Sequence, residues 1–179
     1  FVFYRQSVTN MSQFPQHKFH MNTWRDGPGT RMTSFSIIKY TTYLNDKIAK
    51  EVAEALERLQ SDDFGDQIKI PYFEFQLDGC DLTYQAEYIK GRAIWKEYMP
   101  ILKEGLLERE NPWTIGDFAP YNFVVDTYHP GIHDGTAPIY PIDLDSYGYF
   151  PTREQRVQRW NEKMERRGWM DLLIDEDPA

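Results

Sequence analysis

One amphipathic helix with strand-like segments on both sides is the feature that most restricts how this chain can fold. The sequence NDKIAKEVAEALERLQ predicts a helix over residues 45–60, because Asn45 or Asp46 can cap its first turn and good helix formers follow. Its apolar stripe consists of Ile48, Val52, Ala55 or Leu56, and Leu59. Such a stripe must be buried against another layer, which the neighbouring strands can supply. The chain is therefore predicted to be an α+β protein.

The segments around this helix predict an N-terminal lobe over residues 1–90, built from an antiparallel sheet and this one helix. Before the helix, RMTSFSIIKYTTYL (31–44) predicts a strand that forms a hairpin with FHMNTW (19–24). After it, IPYFEFQL (70–77) and LTYQAEYI (82–89) predict two strands joined by a short turn.

The rest of the chain, residues 91–179, is predicted to be a small lobe that is mainly helical. The stretch 92–110 has a helical pattern that a proline interrupts. FVVD (123–126) is expected to pair with PIYPIDLD (138–145) across a loop. The last amphipathic helix, 151–169, has Arg and Lys interleaved with Glu, a pattern typical of a solvated helix face.

Composition excludes several classes of partner. The formal net charge is −8, whereas nucleic-acid-binding proteins neutralise phosphates with clustered Lys and Arg. No apolar run approaches the ~20 residues that a membrane-spanning helix needs. Neither a nucleic-acid nor a membrane partner is therefore expected. Cys80 is the single cysteine, which excludes an internal disulfide and favours a reducing, cytoplasmic location.

A lysine in the predicted sheet is the first candidate for phosphate chemistry. Lys39 lies within SIIKY, and a lysine on a rigid strand can pair with nucleotide phosphates if an acidic side chain orients it. The following helix offers Glu51 and Glu54 for that purpose. The competing interpretation is an exposed lysine on an edge strand.

Three further polar residues predict a metal site. Asp117 and Asn122 flank a proline-containing turn, and Asp143 ends the strand IYPID. The predicted hairpin brings the ends of APYN and IYPID together. Mg²⁺ prefers carboxylate and amide oxygens combined with phosphate oxygens, and a further acid can accept the proton of a substrate hydroxyl. The competing interpretation is an ordinary turn before a strand, because Gly, Asp, Pro and Asn all favour turns.

Four segments in this order resemble the protein-kinase-like superfamily over roughly residues 30–150. SIIKY is similar to its lysine-bearing strand, and QAEYIKG is similar to its hinge. IGDFAPYNFVVD resembles its catalytic loop, in particular the HGDLHPGN form of aminoglycoside and choline phosphotransferases. PIDLD resembles its metal-binding IDF or IDW segment. The chain differs in having Ile115 where that loop has His, and in lacking a G-x-G-x-x-G motif before Lys39.

The resemblance implies a two-lobed protein-kinase-like fold with a reduced helical C-terminal lobe, in which 113–126 is the catalytic loop and 141–148 the metal-binding segment. It implies an ATP- and Mg²⁺-dependent kinase that moves the γ-phosphate to a hydroxyl of an unidentified small-molecule or protein acceptor. It further implies that Asp117 is the catalytic base and that Asn122 and Asp143 are metal ligands. Lys39 would pair with the phosphates, and Glu51 or Glu54 would orient it. The backbone of Glu87, Tyr88 and Ile89 would contact the adenine.

Two alternatives to this function stay open. The missing glycine-rich loop and the reduced C-terminal lobe would also suit a catalytically inactive kinase-like module. Such a module would bind a nucleotide, or a protein partner that completes the small lobe. An enzyme that transfers AMP instead of phosphate would need the same residues.

Overall fold

The computed structural model describes residues 2–4, 30–32 and 36–175. Over these residues the chain is an α+β protein with antiparallel sheets and three helices, which confirms the predicted fold class. The chain divides into two compact units, the first formed by Phe1–Asp62 and Ile70–Lys90 and the second by Asp63–Lys69 and Gly91–Ala179. Among the described residues, no helix combines the length and the apolar character needed to cross a membrane.

The first unit is a five-stranded antiparallel sheet with one helix. Its strand order is β1-β4-β5-β3-β2. The elements are β1 (Val2–Tyr4), β2 (Thr30–Met32), β3 (Ser36–Thr42), α1 (Asp46–Leu59), β4 (Phe73–Asp78) and β5 (Asp81–Glu87).

Helix α1 confirms the predicted helix, and its cap is Asn45, whose Oδ1 accepts a hydrogen bond from the Ile48 N–H at 3.0 Å. The predicted apolar stripe is wrong at Ile48, which is 36% exposed. The buried residues are Ala49, Ala53, Ala55, Leu56 and Leu59. Small alanine side chains at the centre of this face allow the helix to pack closely against β4 and β5.

The strand predicted over 31–44 is in fact two strands. Residues 30–32 and 36–42 pair antiparallel with each other, with Met32 opposite Ile37. Thr and Ser favour both strands and turns, so the Thr-Ser content of this stretch did not reveal the break. The partner predicted for it, 19–24, lies outside the described residues.

The two strands predicted after α1 are confirmed as the hairpin β4–β5, with Gly79 at a φ of +57° in its turn. Phe75 lies opposite Tyr84, and Leu77 lies opposite Leu82. All four of these side chains are at most 2% exposed. They form the centre of the core of the first unit.

The second unit contains two small antiparallel sheets, β6-β8-β9 and β7-β10. The predicted pairing of FVVD with PIYPIDLD is confirmed by β8 and β9, whereas the pair β7-β10 was not predicted, because three-residue strands show too little alternation to be recognised. The elements are β6 (Gly91–Ala93), α2 (Met99–Leu102), β7 (Trp113–Ile115), β8 (Phe123–Asp126), β9 (Ile139–Pro141), β10 (Tyr147–Tyr149) and α3 (Arg153–Arg167).

The helical pattern predicted over 92–110 is only partly correct. Residues 91–93 form a strand, and the helical part is a 3₁₀ turn at Lys96–Tyr98, then α2, then a π-helical turn at Lys103–Leu107. Pro100 lies in the first turn of α2, where its missing N–H removes no helical hydrogen bond. Pro100 therefore lies at the change from the 3₁₀ turn to α2, and the predicted interruption is a change of helix type, not an end of the helical segment.

Helix α3 begins after Thr152, whose hydroxyl accepts from the Gln155 N–H, and ends at Gly168 with a φ of +72°. The predicted solvated Arg/Lys face is wrong at Arg156, which is only 7% exposed. Its guanidinium donates to three backbone carbonyls, those of Leu107, Phe150 and Arg109. A buried charge is tolerated here because its donors are satisfied.

An ion pair ties the first turn of α3 to the residue that follows the π-helical turn. Arg153 donates from Nε and Nη2 to the two carboxylate oxygens of Glu108, at 2.7 and 2.8 Å. The hydrogen bonds from Arg153 hold the pKa of Glu108 below its ordinary value. This two-point contact fixes the direction in which α3 leaves the loop before it.

Replacing this carboxylate is expected to change how stability depends on pH. Because the folded-state pKa of Glu108 is lowered, its contribution is present above the ordinary carboxyl pKa and is lost as the pH falls through the lowered value. Glu108→Gln should reduce the free energy of unfolding at neutral pH by about 1 kcal/mol or less, since solvent screens the pair. The difference from wild type should shrink in acid, as measured by urea unfolding at a series of pH values.

The matched control is Glu110→Gln, because Glu110 is exposed and forms no ion pair with any other residue that the structure describes. It should follow the wild-type curve at every pH. A Glu108→Gln difference that stays constant from neutral to acid pH would contradict the proposed contribution of the ion pair.

Candidate functional site

The loop that carries Asp117 leaves the sheet at a glycine, and an aromatic ring occupies the position that a Cβ would take. Ile115, the last residue of β7, is 1% exposed and lies opposite Tyr147 of β10. The next N–H, that of Gly116, donates to the carbonyl of Ser146 at 2.9 Å. A Cβ on Gly116 would collide with the ring of Phe150. An aliphatic residue therefore packs the start of this loop, and the glycine allows the aromatic ring to cover it.

Asp117 is half-buried, and one of its two carboxylate oxygens is fixed. Its Oδ1 is 2.9 Å from Nζ of Lys163 and accepts the Ala119 N–H at 3.2 Å. The exposed fractions of the Asp117 and Lys163 side chains are 27% and 24%. No other described residue contacts Oδ2 by a hydrogen bond or ion pair. The carboxylate is thus oriented through one oxygen, and the other can accept a proton.

The side chain that holds Asp117 comes from α3, which packs along the whole loop. Trp160 is 1% exposed and meets the Phe118 ring edge-on at 5.7 Å between centroids. One turn later Lys163 contacts Asp117, and Arg167 lies over the Tyr121 ring, 5.3 Å from its centroid. Residues spaced three or four apart lie on one face of a helix. This face of α3 therefore forms one wall of the site.

Asn122 and Asp143 lie at the same end of the β8–β9 hairpin. Phe123 pairs with Pro141, and the next N–H along β9, that of Ile142, donates to the Asn122 carbonyl at 2.8 Å. Asn122 is 1% exposed. Asp143 is half-buried and lies two residues beyond Pro141, the last residue of β9, so it does not end the strand as predicted. The predicted meeting of these two segments is confirmed.

The residue types at this end of the hairpin are those that Mg²⁺ prefers. One amide and one carboxylate, those of Asn122 and Asp143, are hard oxygen ligands, and Mg²⁺ characteristically takes few protein ligands and completes its shell with phosphate oxygens and water. In the described part of the chain, no group of three or more His, Cys, Asp or Glu side chains is placed to hold a metal. A metal at Asn122 and Asp143 would thus depend on phosphate oxygens.

Lys39 is half-buried in β3, and it faces the side of the sheet where β5 presents Tyr84. Its Nζ is 5.8 Å from the centroid of the Tyr84 ring. Glu51 is 61% exposed and pairs with Lys47 at 3.8 Å, and Glu54 is also exposed. Within the described residues, neither glutamate pairs with Lys39, so the structure does not bring together the ion pair that the resemblance implies.

The predicted adenine-contacting segment follows the end of β5. The Glu87 N–H donates to the Tyr72 carbonyl at 2.8 Å and is therefore already used. The backbones of Tyr88 and Ile89 form no hydrogen bond with another described residue. Glu87 lies opposite Ser36, three residues before Lys39 on the adjacent strand, which corresponds to about 10 Å along the strand.

Sequence reasoning missed the contribution of α3 to this site. Lys163 and Arg167 were grouped with the solvated charges of 151–169. The signal that could have found them is the spacing of Val157, Trp160 and Met164, which forms an apolar stripe beside Lys163. Its target, Asp117, is 46 residues away in sequence, so no local pattern reveals the pair.

The comparisons with known proteins do not assign this site. The chain matches no protein-family model, and no curated protein matches it at a significant level. The interpretation of the site therefore depends on the motifs and on the geometry described above.

Because the Phe150 ring occupies the space of a Cβ at residue 116, Gly116→Ala should destabilise the chain. Overpacking of this kind costs about 1–3 kcal/mol, measured as the change in the urea unfolding midpoint. The additional variant Phe150→Ala should remove most of that cost, so that the double mutant is less destabilised than the sum of the two single mutants.

Gly148→Ala is the matched control on the facing strand. A Cβ there would meet the same ring at 3.6 Å, an ordinary contact distance, so this variant should unfold close to wild type. Additive effects of Gly116→Ala and Phe150→Ala would show that the glycine is not required by the ring.

Proposed function

We propose that this chain is an ATP- and Mg²⁺-dependent phosphotransferase with a two-lobed, protein-kinase-like fold and a reduced C-terminal lobe. It moves the γ-phosphate of ATP to a hydroxyl of an acceptor. The observation that supports this most directly is the Asp117 carboxylate, which is held through Oδ1 by Lys163 and by the Ala119 N–H while Oδ2 faces no protein partner among the described residues. A general base needs this combination of fixed orientation and an open oxygen.

In the proposed reaction, Oδ2 of Asp117 accepts the proton of the acceptor hydroxyl. The hydroxyl oxygen forms a bond to the γ-phosphorus, and the bond from that phosphorus to the bridging oxygen of ADP breaks. ADP leaves with the electron pair of that bond. Lys163 remains beside Oδ1 and compensates the charge of the carboxylate until the proton arrives.

Asn122 and Asp143 are proposed to hold Mg²⁺. Their support is the hairpin register, which places a buried amide and a half-buried carboxylate at one end of β8–β9. Bound Mg²⁺ neutralises the phosphate charge that grows during phosphoryl transfer. The role of these two residues is to fix where the triphosphate lies with respect to Asp117.

Lys39 and the segment 87–89 are proposed to contact the nucleotide. Their support is the pairing of β3 with β5, which puts Lys39 about three residues, or roughly 10 Å, along the sheet from Glu87. An extended nucleotide spans a comparable length from base to phosphates. Since the Glu87 N–H is used by Tyr72, the adenine contacts are assigned to the backbone of Tyr88 and Ile89.

One observation favours the catalytically inactive module as a second candidate. Glu51 pairs with Lys47 on the exposed side of α1, whereas an active kinase of this type uses such a glutamate to orient the lysine. An inactive module would still bind a nucleotide or a protein partner. Transfer of AMP instead of phosphate is distinguished from both candidates by the product, which would carry AMP and not phosphate.

The proposal is tested by nucleotide-dependent stabilisation and ATP turnover. Mg²⁺ with ATP at well above its dissociation constant should raise the melting temperature by roughly 5 °C. Asp117→Asn should reduce turnover by about 100-fold or more while leaving that stabilisation intact, because only the base is lost. Asp143→Asn should reduce both, because a metal ligand is lost.

Asp126→Asn is the matched control, since Asp126 lies at the opposite end of β8 from Asn122 and caps the Tyr128 N–H. It should keep both nucleotide stabilisation and turnover. Stabilisation without turnover in wild type would favour the inactive module. An absence of stabilisation at millimolar ATP would refute the nucleotide-binding proposal itself.

A further inference from the structure

We propose that Lys163 and Arg167 of α3 form an acceptor subsite, and that the acceptor is a small hydroxyl compound carrying a phosphate or carboxylate group. This inference rests on the proposed function, because it names the acceptor class for the same site. This acceptor class differs in charge from aminoglycosides and choline, the cationic acceptors of the phosphotransferases that segment 113–126 resembles.

The first observation is the charge of the α3 face that packs on the loop. Lys163 lies against Asp117, and Arg167 lies one turn later on the same face, about 6 Å further along the axis. The other residues of this face, Trp160 and Met164, are buried and apolar. The acids of the helix lie elsewhere and are exposed: Glu154, Glu162 and Glu165. On the side of α3 that meets the loop, no acid of the helix therefore lies between Arg167 and the Lys163–Asp117 pair.

The second observation is the way in which Arg167 is held. Its guanidinium lies over two aromatic rings, with centroids of Tyr121 at 5.3 Å and Trp169 at 5.6 Å. Cation–π contacts attract the guanidinium to the rings without providing an acceptor atom for its N–H groups. No N–H of Arg167 donates to another residue in the part of the chain that the structure describes. The N–H groups of this exposed side chain are therefore available to an anion.

The chemistry of this arrangement selects the acceptor. The guanidinium edge matches the two oxygens of a phosphate or carboxylate and binds them in a bidentate manner. An acceptor held at Arg167 by its anionic end can present a hydroxyl toward Asp117, one helical turn away. A cationic acceptor would be repelled by Arg167, whose charge no carboxylate compensates among the described residues, whereas Lys163 is paired with Asp117. The subsite thus discriminates between acceptors by the sign of their charge.

The direct test uses inorganic phosphate as the probe of the subsite. Isothermal titration without nucleotide should show binding to the wild-type chain, and Arg167→Gln should weaken it about tenfold or more, because charge-assisted hydrogen bonds are lost. Arg166→Gln is the matched control: it removes the same charge from the adjacent exposed residue, which has no aromatic contact among the described residues. It should bind like wild type. Equal losses in the two variants, or no binding by wild type at millimolar phosphate, would overturn the subsite.

The acceptor class is tested by turnover of ATP with glycerol 3-phosphate, glycerate and choline. Stimulation of turnover by glycerol 3-phosphate or glycerate, reduced about tenfold in kcat/KM by Arg167→Gln but not by Arg166→Gln, is the expected result. Higher turnover with choline would overturn the anionic class. Phosphate binding that depends on Arg167, in a chain that ATP does not stabilise, would instead refute the proposed phosphotransferase and leave the anion subsite standing.

Discussion

A single backbone hydrogen bond, from the Ile142 N–H to the Asn122 carbonyl at 2.8 Å, sets the geometry on which the candidate site depends. It continues the β8–β9 ladder by one step beyond Phe123 and Pro141. The residue opposite Asn122 is therefore Ile142, and Asp143 follows it directly. This bond therefore brings Asn122 and Asp143 to the same end of the hairpin.

In the wall formed by α3, apolar contacts stabilise the packing of the helix, and an ion pair orients the Asp117 carboxylate. Trp160 and Met164 are at most 1% exposed, and burial of side chains of this size contributes about 1.5–3 kcal/mol each. The Trp160 indole also donates to the Leu172 carbonyl at 2.7 Å. The ion pair of Lys163 with Asp117, a quarter exposed on each side, contributes about 1 kcal/mol or less. The apolar contacts hold the helix on the loop, and the ion pair sets the direction of the carboxylate.

Local patterns were sufficient to predict several elements of the fold. The Asn cap and the alanine-rich periodicity predicted α1, and strand-like composition predicted β4 and β5. The apolar run Phe-Val-Val predicted β8 and its pairing with β9. Patterns failed where the signal was short or shared by two structures. The break within 31–44, the three-residue strands β7 and β10, and the division of 92–110 between strand and helical turns belong to this class.

The candidate site was predictable only in part, for a related reason. Asp117, Asn122 and Asp143 have recognisable chemistry and lie beside predicted strand ends, so their residue types and the hairpin that joins two of them can be inferred. The partner of Asp117 could not be inferred, because Lys163 is one of several basic residues in a charged helix. Interleaved charges on a helix predict that its charged side chains are exposed to solvent. Lys163 meets Asp117 only because Trp160 packs on Phe118 and so places α3 against the loop.

By itself, the sequence determined the α+β class, the capped helix and the principal hairpins. It also determined that Asp and Asn residues lie near the end of the β8–β9 hairpin. These depend on interactions between residues close in the chain, or on periodicities that a single segment displays. The tertiary structure alone decided which charges are buried, which oxygen of Asp117 is fixed and which face of α3 meets the loop. Those outcomes depend on contacts between segments tens of residues apart, such as Asp117 with Lys163 and Arg156 with the Leu107 carbonyl, whose energies no local pattern contains.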